Sequence, residues 1–421
     1  MPATPAAVGG PSYRRVLHQR PFFLLWLSQL VSQSGDFVFA VALLWLVLEV
    51  TGSVLAVTIV FAATIVPGVV VGPFLGVYVD RWDRRKILIG TNVAEGLLVA
   101  ALSSLVLAHA VDLLLVVAIV LALGAGGSVV RSATNALVPQ MVAPADLAPA
   151  NALATFSSSF NQIVGFSLGG ILVALVGPVV PIEYDSLTFF AAAFIVAGVG
   201  AGYGRPPKAE GAGVGFGAEL LEGLRFLRSQ RALVELLVLG VIVNFFGNGV
   251  FALFAPYARF TLGAGVAGYG FLVAAVAAGG LAGAIAVGTA DTRRSAGRYV
   301  LLGGCGIGLC VAALGLARSL PVALGLAVVV GVVLSITNVP LSSLFQAKVP
   351  ARLLGRVGAA AGALIMAAGP VGALAAGPWA SALSIPTYYR LAGLVILAVM
   401  AVGLLVMRHL RDVTYGAEAP A

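Results

Sequence analysis

An acidic side chain in the middle of a long apolar run is chemically conspicuous, and Asp36 is one. It follows Gly35, has no Lys or Arg nearby in sequence, and shares a helical face with Gln29 and Gln33 at i, i+4 and i+7. Ser28 and Ser32 lie beside them. An ionised group at the centre of a membrane span costs at least about 2.5–3.5 kcal/mol, so it must find a partner or line a wet cavity. A carboxyl that exchanges a proton there is suited to energy coupling. One charge moved through 100 mV is worth about 2.3 kcal/mol, enough for roughly fifty-fold accumulation. Asp36 is therefore the candidate proton-coupling residue, and the plainer alternative is a structural ion pair with Arg131.

The same spacing recurs along the chain. Ser128, Arg131, Ser132 and Asn135 form one stripe, Asn244 and Asn248 a second, and Ser335, Asn338 and Ser342 a third. These stripes fall on the first, fourth, seventh and tenth apolar runs. The pattern predicts a water-filled central cavity walled by Gln29, Gln33, Arg131, Asn135, Asn244, Asn248 and Asn338. The competing reading is helix-to-helix glue, each bond worth about 0.6–2 kcal/mol. The fifth run, with Ser157–Ser159, Asn161 and Gln162, breaks the period of three. Glu95 and Glu235 are lesser candidates, the first on an expected peripheral helix and the second close to the surface.

The elements that position these residues follow from composition. The chain of 421 residues is 60% hydrophobic with mean hydropathy +1.07, above the roughly 45–50% apolar content of soluble domains. Runs of about 17–25 apolar residues count as spans. Twelve are present, the second over 53–79, and none shows the alternation of a transmembrane barrel. The predicted fold is an all-α membrane protein of twelve transmembrane helices in two pseudo-symmetric six-helix bundles. The 53 Gly suit close helix packing.

Orientation follows from basic residues. With a cytoplasmic N-terminus, all of the 24 Lys and Arg except Arg259, Arg318 and Arg390 lie at or near the cytoplasmic face, the asymmetry of the positive-inside rule. Both termini are expected in the cytoplasm, with the chain multi-pass in a bacterial inner (plasma) membrane. The net charge of +8 then reflects loops beside anionic headgroups, with no nucleic-acid partner. The first run is too long for a signal peptide and no clear cleavage site follows it.

The longest non-apolar stretch, 204–232, opens with Pro206–Pro207 and becomes amphipathic around 218–231, where Leu220, Leu221, Leu224 and Leu227 oppose Arg225, Arg228 and Arg231. It divides the chain into a bundle at 1–203, a cytoplasmic linker at 204–232 and a second bundle at 233–421. "QMVAPADL" (140–147) and "QAKVPARL" (346–353) sit at equivalent places after the fourth span of each half. Such paired halves suggest a shared site near mid-membrane. An enzyme is not expected. His18, His109 and His409 are scattered, Cys305 and Cys310 sit within one span, no metal-ligand spacing exists, and no phosphate-binding loop or cofactor site is present.

One connector is crowded with charge. In "GPFLGVYVDRWDRRK" (72–86), Asp80, Arg81, Asp83, Arg84, Arg85 and Lys86 carry six charges in seven positions. This resembles the loop signature of the major facilitator superfamily, Gly-x-Leu-x-Asp-Arg-x-Gly-Arg-Lys, through Gly76, Asp80, Arg81, Arg84, Arg85 and Lys86, with Tyr78 for Leu and Asp83 for the second Gly. "LLWLSQLVSQSGD", "WLVLEVTGS" and "DRWDRR" are similar to its macrolide-efflux and enterobactin-exporter-like subgroup. The resemblance implies alternating access by two rocking bundles, with Gly76, Asp80, Arg81, Arg84 and Arg85 as a cytoplasmic gate whose Asp80 meets the N-terminus of helix 11. The exporter pattern Gly-Pro-x-x-Gly-Gly of helix 5 is present as "GFSLGG" (165–170), with Phe166 for Pro. The expected function is proton-coupled export of amphipathic or hydrophobic small molecules by a monomer in the lipid bilayer. A lipid or lysophospholipid translocator, a passive uniporter and a transport-dead scaffold are the alternatives. A uniporter would not need Asp36, and a scaffold would not need the stripes.

Overall fold

The computed structural model describes residues 13–71, 82–203, 216–288 and 296–411. Among the described residues, twelve long helices run in chain order. They are α1 (Arg20–Thr51), α2 (Val54–Val70), α3 (Arg84–Leu107), α4 (Leu113–Met141), α5 (Leu147–Val176), α6 (Val179–Ala197), α7 (Arg231–Ala252), α8 (Val266–Gly288), α9 (Ala296–Leu314), α10 (Leu320–Lys348), α11 (Leu354–Leu383) and α12 (Ile385–Val406). Eleven are long and apolar enough to cross a membrane among the described residues; the shorter one is α2. The rest of the span expected at 53–79 lies outside the described residues.

Local chemistry sets the helix ends. Gly52 closes α1 with φ +60, a left-handed conformation glycine adopts without strain, and its N–H bonds Leu48 O at 3.0 Å. Ser53 then caps α2 by accepting from Ala56 N. Asp112 caps α4 by accepting from Leu114 N and Leu115 N. After α4 and after α10, the matched eight-residue segments form equivalent short 3-10 turns, Pro144–Asp146 and Ala351–Leu353.

The packing repeats in the two halves. Helix α1 lies against α5 and α6, α3 against α4 and α6, and α2 against α4; α7 lies against α11 and α12, α9 against α10 and α12, and α8 against α10. The halves meet chiefly through α5 with α8 and α2 with α11. At the first crossing Gly170 faces Gly270: a Cβ on Gly170 would lie 3.0 Å from Val266 O, and one on Gly270 would lie 2.9 Å from Gly170 Cα. At the second, Gly377 abuts Thr58 and Leu55. Gly165 and Gly169 of the expected "GFSLGG" stretch instead receive α1, at Phe37 and Val38.

Buried apolar residues divide unevenly along the long axis. At the end away from the termini, one cluster joins both halves and includes Leu44–Leu48, Phe254, Tyr257, Leu314 and Tyr389. Toward the termini the core splits, with Phe22, Leu88 and Leu137 in one cluster and Leu236, Leu344 and Val357 in another. Arg259 spans the joined end. Its Nη1 donates to Leu48 O at 3.4 Å and its Cζ lies 6.0 Å from the ring centre of Trp45, whose Nε1–H bonds Glu49 at 2.6 Å. Arg259 belongs to a π-helical turn, Tyr257–Thr261.

Short segments at the termini end are held by acids. Arg15, on the helix Tyr13–His18, bonds the buried Asp146 carboxylate through Nε at 2.9 Å and 3.0 Å and also through Nη2. That bond raises the Arg15 pKa above its ordinary value. The helix Phe216–Ser229 is the amphipathic segment anticipated from sequence. Leu220, Leu224 and Leu227 pack on the second half while Leu221 stays exposed, and Glu222 pairs with Arg356 at the start of α11. Its apolar face therefore rests on the protein.

Candidate functional site

A cavity of about 620 Å³ lies inside the first half. It follows α1 from Phe22 to Leu43 and stops where Leu44–Leu48 enter the joined core. At 1.5 Å per residue that path is about 30 Å long. The α1 face anticipated from sequence forms one wall, with Gln29, Gln33 and Asp36 all lining it. Arg131 and Asn135 of α4 line the opposite side. Asp36, Arg131 and Asn135 are exposed to this space. The Asp36 carboxyl feels the positive charge of Arg131, so the ion-pair and coupling readings concern the same two groups.

Two further acids share the cavity. Glu95 of α3 is 4% exposed and Asp185 of α6 is 1% exposed, and both line it. Asp36 acts electrostatically on each, and they act on one another. Small residues let them in. A Cβ on Gly126 of α4 would lie 3.0 Å from the Glu95 Cδ, and one on Gly35 would lie 3.0 Å from the Asp185 Cα. Sequence reasoning gave Glu95 a minor place because α3 is outside the bundle centre, and it did not single out Asp185. The available signal was "PIEYDSLTFF" (181–190), an unpaired acid pair inside an apolar run. Among the described residues, no group of three or more His, Cys, Asp or Glu could hold a metal ion.

A second cavity of about 900 Å³ lies between the halves. Its wall is mostly apolar and aromatic, with Phe61, Phe156, Phe166, Phe251 and Tyr269, and it includes Gln162 and Ser335. Ala40, Leu43 and Thr64 line both cavities, so the acid-bearing chamber and the apolar chamber adjoin.

Residues 14–417 match the family described as transmembrane secretion effector, a branch of the major facilitator superfamily. The chain belongs to that family. This secretion-effector chain is 28% identical over 400 residues to the multidrug efflux pump Tap of Mycobacterium tuberculosis, covering 92% of this chain and 93% of that protein. It is 26% identical over 394 residues to macrolide efflux protein A of Streptococcus pyogenes, covering 90% and 94% respectively. Among solved structures, it superposes with TM-score 0.71 and 13% identity on a bacterial homologue of the human lysosomal transporter Spinster in an inward-facing, unoccupied conformation, covering 96% and 97%. It superposes with TM-score 0.70 and 10% identity on the nucleoside transporter NupG, covering 92% and 99%. These two likenesses establish the fold alone. Together with the family match, the efflux-pump relatives make the chain a multi-pass membrane transporter of small molecules and not an enzyme.

Other residues expected at the site of this family member are placed differently. Asn244 and Asn248 lie outside the linings of both cavities. Asn248 Nδ2 donates to Asn244 O at 2.9 Å, and a Cβ on Gly369 of α11 would meet it at 3.0 Å. Asn244 Nδ2 donates to Gly240 O at 3.3 Å. Asn338 is exposed on α10 beyond Ser335, also outside both linings. Within the gate motif, Gly76, Asp80 and Arg81 lie outside the described residues. Asp83 caps α3, accepting from Arg85 N at 3.0 Å and Lys86 N at 3.2 Å. An acid at the motif's second Gly position thus starts a helix. Arg84 is 5% exposed, and Arg85 Nη2 donates to Ala197 O at the end of α6. Glu235, near the start of α7, accepts from Leu410 N at 2.9 Å and ties down the C-terminal segment.

Proposed function

We propose that this transporter is a proton-coupled exporter of amphipathic or hydrophobic small molecules, working by alternating access between bundles at 1–203 and 233–421 joined by a cytoplasmic linker at 204–232. The chain acts as a monomer in a bacterial inner membrane with both termini in the cytoplasm. Asp36 exchanges the driving proton, and Gln29, Gln33, Arg131 and Asn135 form the polar wall of the substrate path. Gly76, Asp80, Arg81, Arg84 and Arg85 act as the cytoplasmic gate.

One observation carries this reading. A carboxyl from α1 faces open space opposite Arg131, in a chamber adjoining a larger apolar one between the halves. A proton on Asp36 removes the negative charge that faces Arg131, and its loss restores that charge, so protonation changes the cavity charge by one unit. The apolar chamber suits a greasy body, and the polar one suits its hydrogen-bonding groups. The relatives' printed roles in multidrug and macrolide efflux agree with such cargo. The core that joins the halves at one end and separates them at the other supports rocking about the glycine crossings.

The test is flux in reconstituted vesicles with an imposed pH gradient, using ethidium and a labelled macrolide as probes, comparing the native chain with Asp36→Asn. The expected outcome is gradient-driven accumulation that collapses in the variant while downhill exchange survives. Flux that is indifferent to the gradient, or to the substitution, overturns the coupling assignment.

A further inference from the structure

Asp185 is a deeply buried carboxyl with an unmet bond. Among the described residues its Oδ2 has no hydrogen-bond partner, although the residue is only 1% exposed and lines the acid-bearing cavity. The nearby Thr188 hydroxyl donates to the Asp185 main-chain carbonyl at 2.7 Å and stands 3.5 Å from Oδ1. A buried acceptor of this kind costs stability unless something occupies it. A proton on this carboxyl removes its charge, and a neutral acid is far cheaper to leave unpaired in the interior than a carboxylate.

The surroundings restrict what else could serve. From α1, the ionisable neighbour of Asp185 is Asp36; from α3, it is Glu95. Among the described residues, the guanidinium acting on this cluster is Arg131 of α4, and it acts on Asp36. On α6 itself, Glu183 accepts from Ser103 at 3.2 Å and Tyr184 bonds Ser34 at 2.8 Å, so both are engaged elsewhere. Three carboxyls therefore share one cation. Full ionisation would leave two uncompensated negative charges in a low-dielectric interior.

We infer that Asp185 and Glu95 form a proton store behind α1, loaded and emptied through Asp36. The inference rests on the coupling role proposed for Asp36. Asp36 is the member open to the cavity, whereas Glu95 and Asp185 are buried against Gly126 and Gly35. In the transfer, the O–H bond of the Asp185 acid breaks, leaving its carboxylate. The proton forms an O–H bond on the Asp36 carboxylate. One unit of negative charge moves from Asp36 to Asp185, with no oxidant or second reactant involved. Gly35 and Gly126 are positioning residues, since a side chain at either would push an acid out of place.

The experiment is infrared difference spectroscopy of the purified full-length chain across pH, reading the C=O band of protonated carboxyls in the native chain and in Asp36→Asn, Glu95→Gln and Asp185→Asn. Asp185→Asn and Glu95→Gln should each abolish one protonated-carboxyl component. Asp36→Asn should leave both components while slowing their hydrogen–deuterium exchange. Gly126→Ala keeps every carboxyl and should shift the Glu95 component, so the assignment stays testable if a charge-removing variant fails to fold. Native-like spectra in Asp185→Asn, or exchange unaffected by Asp36→Asn, would overturn the store. These readouts need no transported compound. Gradient-independent flux with intact bands would refute coupling alone, and missing bands with gradient-driven flux would refute the store alone.

Discussion

Arg259 is the residue whose removal should most visibly loosen the end away from the termini. It reaches from a π-helical turn of the second half to the last turn of α1 in the first. Leu48 O already accepts from Gly52 N, so Arg259 meets a helix C-terminus, where a cation gains about 0.3–1 kcal/mol. The face of Trp45 adds about 0.5–1 kcal/mol for an exposed cation. Arg259 is exposed, and its 3.4 Å bond and 6.0 Å ring distance are both long. The low ends of both ranges apply, giving about 0.8 kcal/mol, or roughly a four-fold change in the balance between closed and open forms. The perturbation is Arg259→Gln, in a background with Cys305 and Cys310 replaced. Spin labels at Leu114 and Leu316, exposed residues of opposite halves at this end, report their separation by double electron–electron resonance. The variant should add a longer-distance population of that size. Arg390→Gln is the control, since among the described residues Arg390 bonds its own helix, to Thr387 at 2.8 Å and Pro386 at 3.4 Å. A distance distribution unchanged by Arg259→Gln refutes this bridge between the halves, and an equal change in Arg390→Gln assigns the effect to net charge instead.

The remaining predictions concern packing and anchoring. Gly270→Val places a Cβ 3.1 Å from Gly170 N at the α5–α8 crossing, and overpacking there should cost about 1–3 kcal/mol; the thermal midpoint in detergent should fall, whereas Gly362→Ala, which meets nothing within 4 Å, should leave it unchanged. Asp146→Asn removes the charge that holds Arg15; hydrogen exchange over residues 13–18 should accelerate while exchange in α4 stays slow.

The membrane fold was legible because lipid leaves a long imprint: each span needs a run of apolar residues, and each basic cluster marks one face. The polar face of α1 was legible for the same reason, since Gln29, Gln33 and Asp36 repeat at helical spacing and all reach the cavity. Arg131 and Asn135 followed by the same logic. Asn244 and Asn248 share that spacing, yet their amides turn back to carbonyls four residues earlier. An amide can satisfy itself on its own helix, which an ionised carboxyl cannot. Periodicity therefore identifies a polar stripe without saying whether it is wet. Asp185 and Glu95 carried no stripe at all. Their position depends on Gly35 and Gly126 of neighbouring helices, a relation between distant residues that no single-helix pattern encodes.

The paired turns after α4 and α10 differ at one telling place: where the first has Asp146, the second has Arg352. The two lobes thus carry matching turns of opposite charge, and Arg15 of the leading arm bonds the acidic one. Reversing a single sign makes one turn welcome an arginine and the other repel it. The arginine of the leading arm thus finds a carboxylate in its own lobe, while the matching position of the other lobe carries a charge of its own sign.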